Sequence, residues 1–242
     1  MTRKIFLEIK IGNIGQHENA SARYQSAKAW VNQWWSTYGF ASNDLDQLGP
    51  EDKETAKDIL SNDPKAINEK WLVDAPEPLK GGIIEIELFE KDCPKTCENF
   101  VSLCKGGKIG KSSKKPLHYE NTKMFRLVPG FVVQGGDVTR GDGSGGDSIY
   151  NGKFNDEKPG LAKKFDRKGL VAMANSGKNS NTSQFFITLG DKHSQFDKIN
   201  GKYVIFGQVS KGFEVLDEIN KVSETQEQPQ ETITITNCGE LL

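Results

Sequence analysis

Residues 4–11, Lys-Ile-Phe-Leu-Glu-Ile-Lys-Ile, set Ile5, Leu7, Ile9 and Ile11 against Lys4, Glu8 and Lys10. A period of two marks a half-buried β-strand. The pattern returns at 83–89 (IIEIELF), introduced by Gly81-Gly82. Further strands are expected at 131–134, 170–173, 184–189, 203–209 and 232–236, separated by Gly, Asn and Ser turns. Two amphipathic helices interrupt them. One starts at Pro94 and stops before Gly106-Gly107. The other spans about 212–222, with Val215, Leu216 and Ile219 on one face. Short strands with two helices point to a closed antiparallel barrel capped by helices.

Residues 14–79 follow a different rhythm. Tyr24, Ala27, Val31, Trp34, Trp35 and Tyr38 recur at three- and four-residue steps, the spacing of an amphipathic helix. Pro50-Glu-Asp opens a second helix with Ala56, Ile59 and Leu60 as its stripe, and Asp63-Pro64 opens a third carrying Ile67 and Trp71. All four tryptophans (Trp30, Trp34, Trp35, Trp71) fall in this segment. Linkers do not carry such residues, so 14–79 reads as a folded helical insertion within a domain made of 1–13 and 80–242.

Charge excludes two classes of partner. Lys plus Arg is 32 and Asp plus Glu 33, a net charge of −1, which argues against dedicated nucleic-acid or membrane-surface binding. The opening run is broken by Glu8 and reads as no signal peptide, and no later run is long enough to span a bilayer. Cysteines 93, 97, 104 and 238 read as free thiols, and the scattered His17, His118 and His193 offer no zinc spacing. The expected compartment is the cytoplasm or the nucleus, and a monomer is expected. Gly141-Asp-Gly-Ser-Gly-Gly146 spells a dinucleotide motif, but Ser148-Ile-Tyr-Asn-Gly follows where a helix must open. Aspartates 137, 142 and 147 lack calcium-loop spacing, and no nucleophile stands beside a base. No cofactor or metal is expected.

Two blocks carry the function. They are Met124-Phe-Arg-Leu-Val-Pro-Gly-Phe-Val-Val-Gln-Gly-Gly-Asp137, and Gly169-Leu-Val-Ala-Met-Ala-Asn-Ser-Gly177 with Asn181-Thr-Ser-Gln-Phe-Phe186. They resemble the signature blocks of the cyclophilins, and the likeness continues through Leu88–Phe100, Phe206-Gly-Gln-Val and Thr234-Ile-Thr-Asn-Cys-Gly. It covers 3–13 and roughly 80–242. The resemblance implies a mainly β chain with an eight-stranded closed barrel capped by two helices, and peptidyl-prolyl cis–trans isomerase activity toward proline-containing peptides and proteins.

Such activity needs no nucleophile or metal. The X-Pro amide crosses its barrier in tens to hundreds of seconds. A surface preferring the twisted amide, whose nitrogen has become a hydrogen-bond acceptor, lowers that barrier. By resemblance Arg126 is the catalytic donor, and Gln134, on the same strand, orients it. Phe131, Val132 and Phe186 wall the proline pocket, with Asn175 holding the preceding residue beside Ala174. Taken singly, Phe131 and Phe186 read as core and Arg126 as a surface charge; their joint spacing reverses that.

Departures from the family lie at the rim. Met124-Phe125 replaces a common Phe-His, Val132 a methionine, and Tyr203 a histidine. Phe196 replaces a leucine, and His193 stands in for a tryptophan that grips cyclosporin, so weakened cyclosporin binding is expected with activity retained. A secondary pocket, similar to the family's, is expected behind Ser144, Gly152, Lys153, Ser176 and Ser180. The 105–118 loop resembles that of divergent-loop members, in which cysteines matching Cys104 and Cys238 form a redox-sensitive pair and an acidic residue matching Asp147 pins the loop. Three readings stay open: an active isomerase, a proline-peptide binding module with weak catalysis, and a scaffold whose 14–79 segment recruits a protein partner.

Overall fold

The computed structural model describes residues 2–223 and 227–241. The chain divides into two compact units. One comprises the residues up to Gly12 with those from Lys80 on, and the other is Asn13–Leu79.

The first unit is mainly β and antiparallel. Its strands are β1 (Lys4–Ile11), β2 (Lys80–Leu88), β3 (Thr122–Lys123), β4 (Arg126–Val128), β5 (Val132–Gly135), β6 (Leu170–Met173), β7 (Phe185–Thr188), β8 (Ile205–Lys211) and β9 (Ile233–Leu241). They form one sheet in the order β3-β9-β1-β2-β8-β6-β7-β5-β4. Its two end strands, β3 and β4, are consecutive in the chain and separated only by Met124-Phe125. That link closes the sheet on itself, and β3 with β4 acts as one interrupted strand of an eight-stranded barrel. The period-two reading of β1 holds in detail: Ile5, Leu7, Ile9 and Ile11 are all buried. At the start of β2, Gly81 takes a φ of 119°, and a Cβ there would lie 2.1 Å from the Ile9 carbonyl oxygen. Only glycine allows the strands to approach there.

Helices α4 (Pro94–Lys105) and α6 (Phe213–Asn220) cover the barrel. Phe100 of α4 enters the interior, its ring centroid 4.9–5.1 Å from those of Tyr119, Phe185 and Phe206. Val215, Leu216 and Ile219 of α6 are buried as expected. The short helix α5 (Lys158–Ala162) was not legible in the sequence, because one turn with a proline carries no periodicity.

The second unit holds α1 (Ile14–Tyr38), α2 (Pro50–Leu60) and α3 (Pro64–Glu69). Asn13 caps α1 by accepting from the Gln16 N–H at 3.0 Å, and Gly39 ends it in the left-handed conformation. Its core is its own: Tyr24, Ala27, Trp30 and Val31 of α1 pack with Phe40, Leu45, Leu48, Ala56, Leu60 and Ala66. The expected stripe on α1 needs correction. Trp30 joins the core, whereas Trp34, Trp35 and Tyr38 remain 40%, 39% and 45% exposed. On α3, Ala66 is buried and Ile67 is exposed. Helical spacing reports which residues share a face but not how far the partner surface extends along it.

Candidate active site

Strands β4 and β5 are joined by a tight turn, closed by the Phe131 N–H donating to the Val128 carbonyl at 3.0 Å. Antiparallel register then sets Arg126 opposite Gln134 and Gln134 opposite Phe186 of β7. Gln134 is therefore on the neighbouring strand, not on the strand of Arg126 as the sequence suggested. The turn at Pro129-Gly130 is too short to break a pattern read from residue types alone.

These strands and the 174–175 and 199–203 segments enclose a pocket of about 80 Å³, lined by Arg126, Phe131, Val132, Gln134, Ala174, Asn175, Phe186, Ile199 and Tyr203. Eight of these were sequence candidates, and Ile199 was not. Phe131 stacks on Phe196 at 5.6 Å, Phe186 stacks on Phe165 at 5.6 Å, and Tyr203 meets the edge of Phe186 at 5.3 Å. Phe165 and Phe196 are fully buried, so a second aromatic layer fixes the rings that face the pocket. Phe196 therefore stands behind the wall. Two further candidates also lie outside the lining. His193 is exposed in the short turn His193–Phe196, and half-buried Phe125 packs beneath Gly143, where a Cβ would come within 2.4 Å of its ring.

The polar groups are held from outside the pocket. Arg126 Nε donates to Glu227 Oε2 at 2.9 Å, and the Leu127 N–H donates to the Glu227 carbonyl at 2.9 Å. That guanidinium bond holds the exposed Glu227 carboxyl below the usual carboxylate range. Gln134 Nε2 donates to Gln184 Oε1 at 2.9 Å rather than meeting Arg126, and Gln184 Nε2 donates to the carbonyls of Gly143 and Gly145. Asn175 is fixed by its amide, which donates to the Lys202 carbonyl at 2.9 Å and accepts from the Gly177 N–H at 3.1 Å. What it can offer a ligand is its main chain.

A larger recess of about 830 Å³ shares Gln134, Ala174 and Asn175 with this pocket. Ser144, Lys153, Ser176 and Ser180 line it as expected, whereas Gly152 does not. Its glycine-rich wall is built around Asp137, whose buried carboxylate accepts from the backbone N–H groups of Thr139, Arg140, Gly143 and Gly145 at 3.0–3.1 Å. Burial alone would push that carboxyl up, but the backbone donors outweigh it and hold it below the usual range. The opposite wall comes from the 105–118 loop. Ser113 donates its N–H to Asp147 Oδ2 at 2.8 Å, and the same carboxylate accepts from Gly152 and Ser148. Cys104 and Cys238 are neighbours and both free: Cys238 Sγ donates to the Cys104 carbonyl at 3.3 Å, and burial pushes the Cys104 thiol well up.

Residues 78–240 match the family model described as cyclophilin type peptidyl-prolyl cis-trans isomerase/CLD. The chain is similar to peptidyl-prolyl cis-trans isomerase 9 of Caenorhabditis elegans, at 48% identity over 164 residues, 66% of this chain and 51% of that protein. It is also similar to a peptidyl-prolyl cis-trans isomerase of Rhizopus delemar, at 45% identity over 163 residues, 66% of this chain and 46% of the relative. The chain thus spans about half the length of these relatives.

Proposed function

Because the chain belongs to the cyclophilin-type peptidyl-prolyl cis–trans isomerase family, we propose that it accelerates rotation about X-Pro peptide bonds in proline-containing clients. The carrying observation is Arg126 on a small pocket of about 80 Å³ whose apolar side is Phe131, Val132, Phe186 and Tyr203. The ring enters the pocket, and the main chain of Asn175 pairs with the residue before it. As the amide twists, resonance is lost and the prolyl nitrogen regains its lone pair. Arg126, its Nε committed to Glu227, still has the terminal N–H donors of its fork to offer that nitrogen. A donor matched to the twisted state and not to the planar one is what lowers a barrier. About 7 kcal/mol of such preference gives about 10⁵-fold acceleration.

NMR exchange spectroscopy on a short Xaa-Pro peptide tests this. The wild type should catalyse exchange, and Arg126→Ala should lose about 10²–10³-fold, as expected for removal of one preorganised donor. Equal exchange rates in the two proteins would overturn the catalytic reading in favour of a binding module. Cyclosporin binding, in this reading, is weak, because His193 stands outside the pocket lining. A recruiting role for Asn13–Leu79 is the second reading, favoured by the exposed Trp34, Trp35 and Tyr38 on α1.

A further inference from the structure

The larger recess has an unbalanced charge. Three cations stand on its lining: Lys115 from the 105–118 loop, Arg140 from the glycine-rich wall, and Lys153 beyond it. Among the described residues no carboxylate lines it. Among the described residues none of the three makes an ion pair; Arg140 and Lys153 have only long contacts of 3.3 and 3.4 Å to the hydroxyls of Ser144 and Ser176. The neighbouring acids are otherwise engaged. Asp137 and Asp147 are buried among backbone donors, and the exposed Asp142 is bonded to the N–H and hydroxyl of Ser144 at 2.9 and 2.7 Å. The Ser176 hydroxyl adds a neutral donor to the same space, whereas the hydroxyls of Ser113 and Ser180 are engaged by Asp147 and the Gly177 carbonyl.

Three cations on one recess, none of them in an ion pair, raise the local concentration of anions there, and Asp142, an acid close enough to Arg140 to feel its charge, is itself held by Ser144. The recess adjoins the proline pocket through Ala174 and Asn175. On the isomerase reading, Asn175 receives the residue before proline, so the client's amino-side chain runs into the recess at about 3.3–3.6 Å per extended residue. We propose that the recess selects clients bearing an anionic side chain, a carboxylate or a phosphate, one to three residues ahead of the proline. This rests on the isomerase reading and adds the chemistry of the client to it.

The test is a peptide series with Glu, Gln, Lys or phosphoserine scanned over those three positions, with catalysed exchange and affinity both followed by NMR. At one position Glu should exceed Lys by about tenfold in kcat/KM at low salt, since a few exposed pairs contribute a factor of two or so each. That ratio should shrink at high ionic strength. It should fall to about one in the K115Q/R140Q/K153Q protein, while K178Q, a cation outside the lining, should keep it. Phosphoserine exceeding Glu would assign phosphate as the preferred source, and parity would assign the carboxylate. Turnover that ignores the charge at every position would overturn the proposal and leave the isomerase reading standing. An equal loss of the ratio in K178Q would also overturn it, by tracing selection to net charge. If no peptide is turned over, the isomerase reading fails, and the affinities decide the charge question: a Glu over Lys preference lost in the triple variant supports it, and flat affinities overturn it.

Discussion

Gln184 lines the recess and holds Gln134, which borders both cavities, and its replacement should be costly for a reason that can be worked out bond by bond. Its side chain is 9% exposed and makes three hydrogen bonds: to Gly143 O at 2.9 Å, to Gly145 O at 2.7 Å, and from Gln134 Nε2 at 2.9 Å. Each contributes about 1 kcal/mol net. The two carbonyls border the recess and can partly rehydrate, so Gln184→Ala should cost about 2–3 kcal/mol. Gln184→Glu separates this account from simple loss of packing. The introduced carboxylate would keep the bond from Gln134 but turn an anion toward two carbonyl oxygens, at a cost of about 3–5 kcal/mol. That setting raises the folded-state pKa of the introduced group above its unfolded value near 4.3. A raised pKa means stability is fully present below the unfolded value and is lost as pH rises through the folded one. Urea unfolding should therefore show Gln184→Glu less stable than Gln184→Ala at pH 7.5, with the gap closing toward pH 5. Because the same amide fixes Gln134 and the glycine wall, kcat/KM should fall about tenfold or more in both variants. A Gln184→Ala protein within about 0.5 kcal/mol of wild type, or a Gln184→Glu protein no worse than it at pH 7.5, would refute the reasoning.

Two further outcomes follow from buried and bridged groups elsewhere in the barrel. Arg3, just before β1, binds Glu240 of β9 and pairs with Glu98 and Glu90 at 3.1 and 3.3 Å, and Lys105 reaches Glu240 at 2.8 Å. The Arg3 and Lys105 bonds pull the Glu240 carboxyl down to about 2, so its contribution is present above the ordinary value of 4.5 and lost as pH falls toward 2. Glu240→Gln should lower stability by about 1 kcal/mol at pH 7 and converge on wild type near pH 2; parallel urea midpoints across that range would contradict it. Burial pushes the Cys104 thiol up and keeps it from reagents, so iodoacetamide should label it under native conditions only as fast as the barrel opens. Labelling at the rate of a free surface thiol would show that the reduced pair is open to redox chemistry without unfolding.

The strands with room for a period were legible, and so was the part of the site they carry. Ile5, Leu7, Ile9 and Ile11 alternate because one face of β1 must be dry, and that constraint is written into residue types. β3 and β4 are two and three residues long and too short to repeat a period of two, so the closure of the barrel at Met124-Phe125 could not be seen. The signature blocks placed Arg126, Phe131, Asn175 and Phe186 on one pocket, because ladder register transmits sequence spacing into space. The reading failed where side chains approach from loops. Phe196 and His193 sit three residues apart, yet one is buried behind Phe131 and the other faces solvent. Lys115, Arg140 and Gln184 converge on the recess from segments that no periodicity connects.

The same contrast explains how the barrel carries a second unit. Ile11 and Lys80 are register partners at the end of an eight-pair ladder between β1 and β2, so the points where the chain leaves and returns are fixed by the barrel itself. Closing a long excursion between fixed neighbours costs little more than closing a short one, since the entropy grows only with the logarithm of length. The excursion has its own cap at Asn13, proline starts at Pro50 and Pro64, and its own buried Tyr24, Trp30 and Leu45, so its order does not have to be drawn from the sheet. Positions held by the ladder tolerate little change, because one residue of slip turns every side chain to the wrong face. Connections between ladder ends carry no such constraint. The reactive geometry of Arg126 and the aromatic pocket therefore sits where register holds it. The charge of the recess and the exposed aromatics of α1 sit on segments that no ladder register constrains.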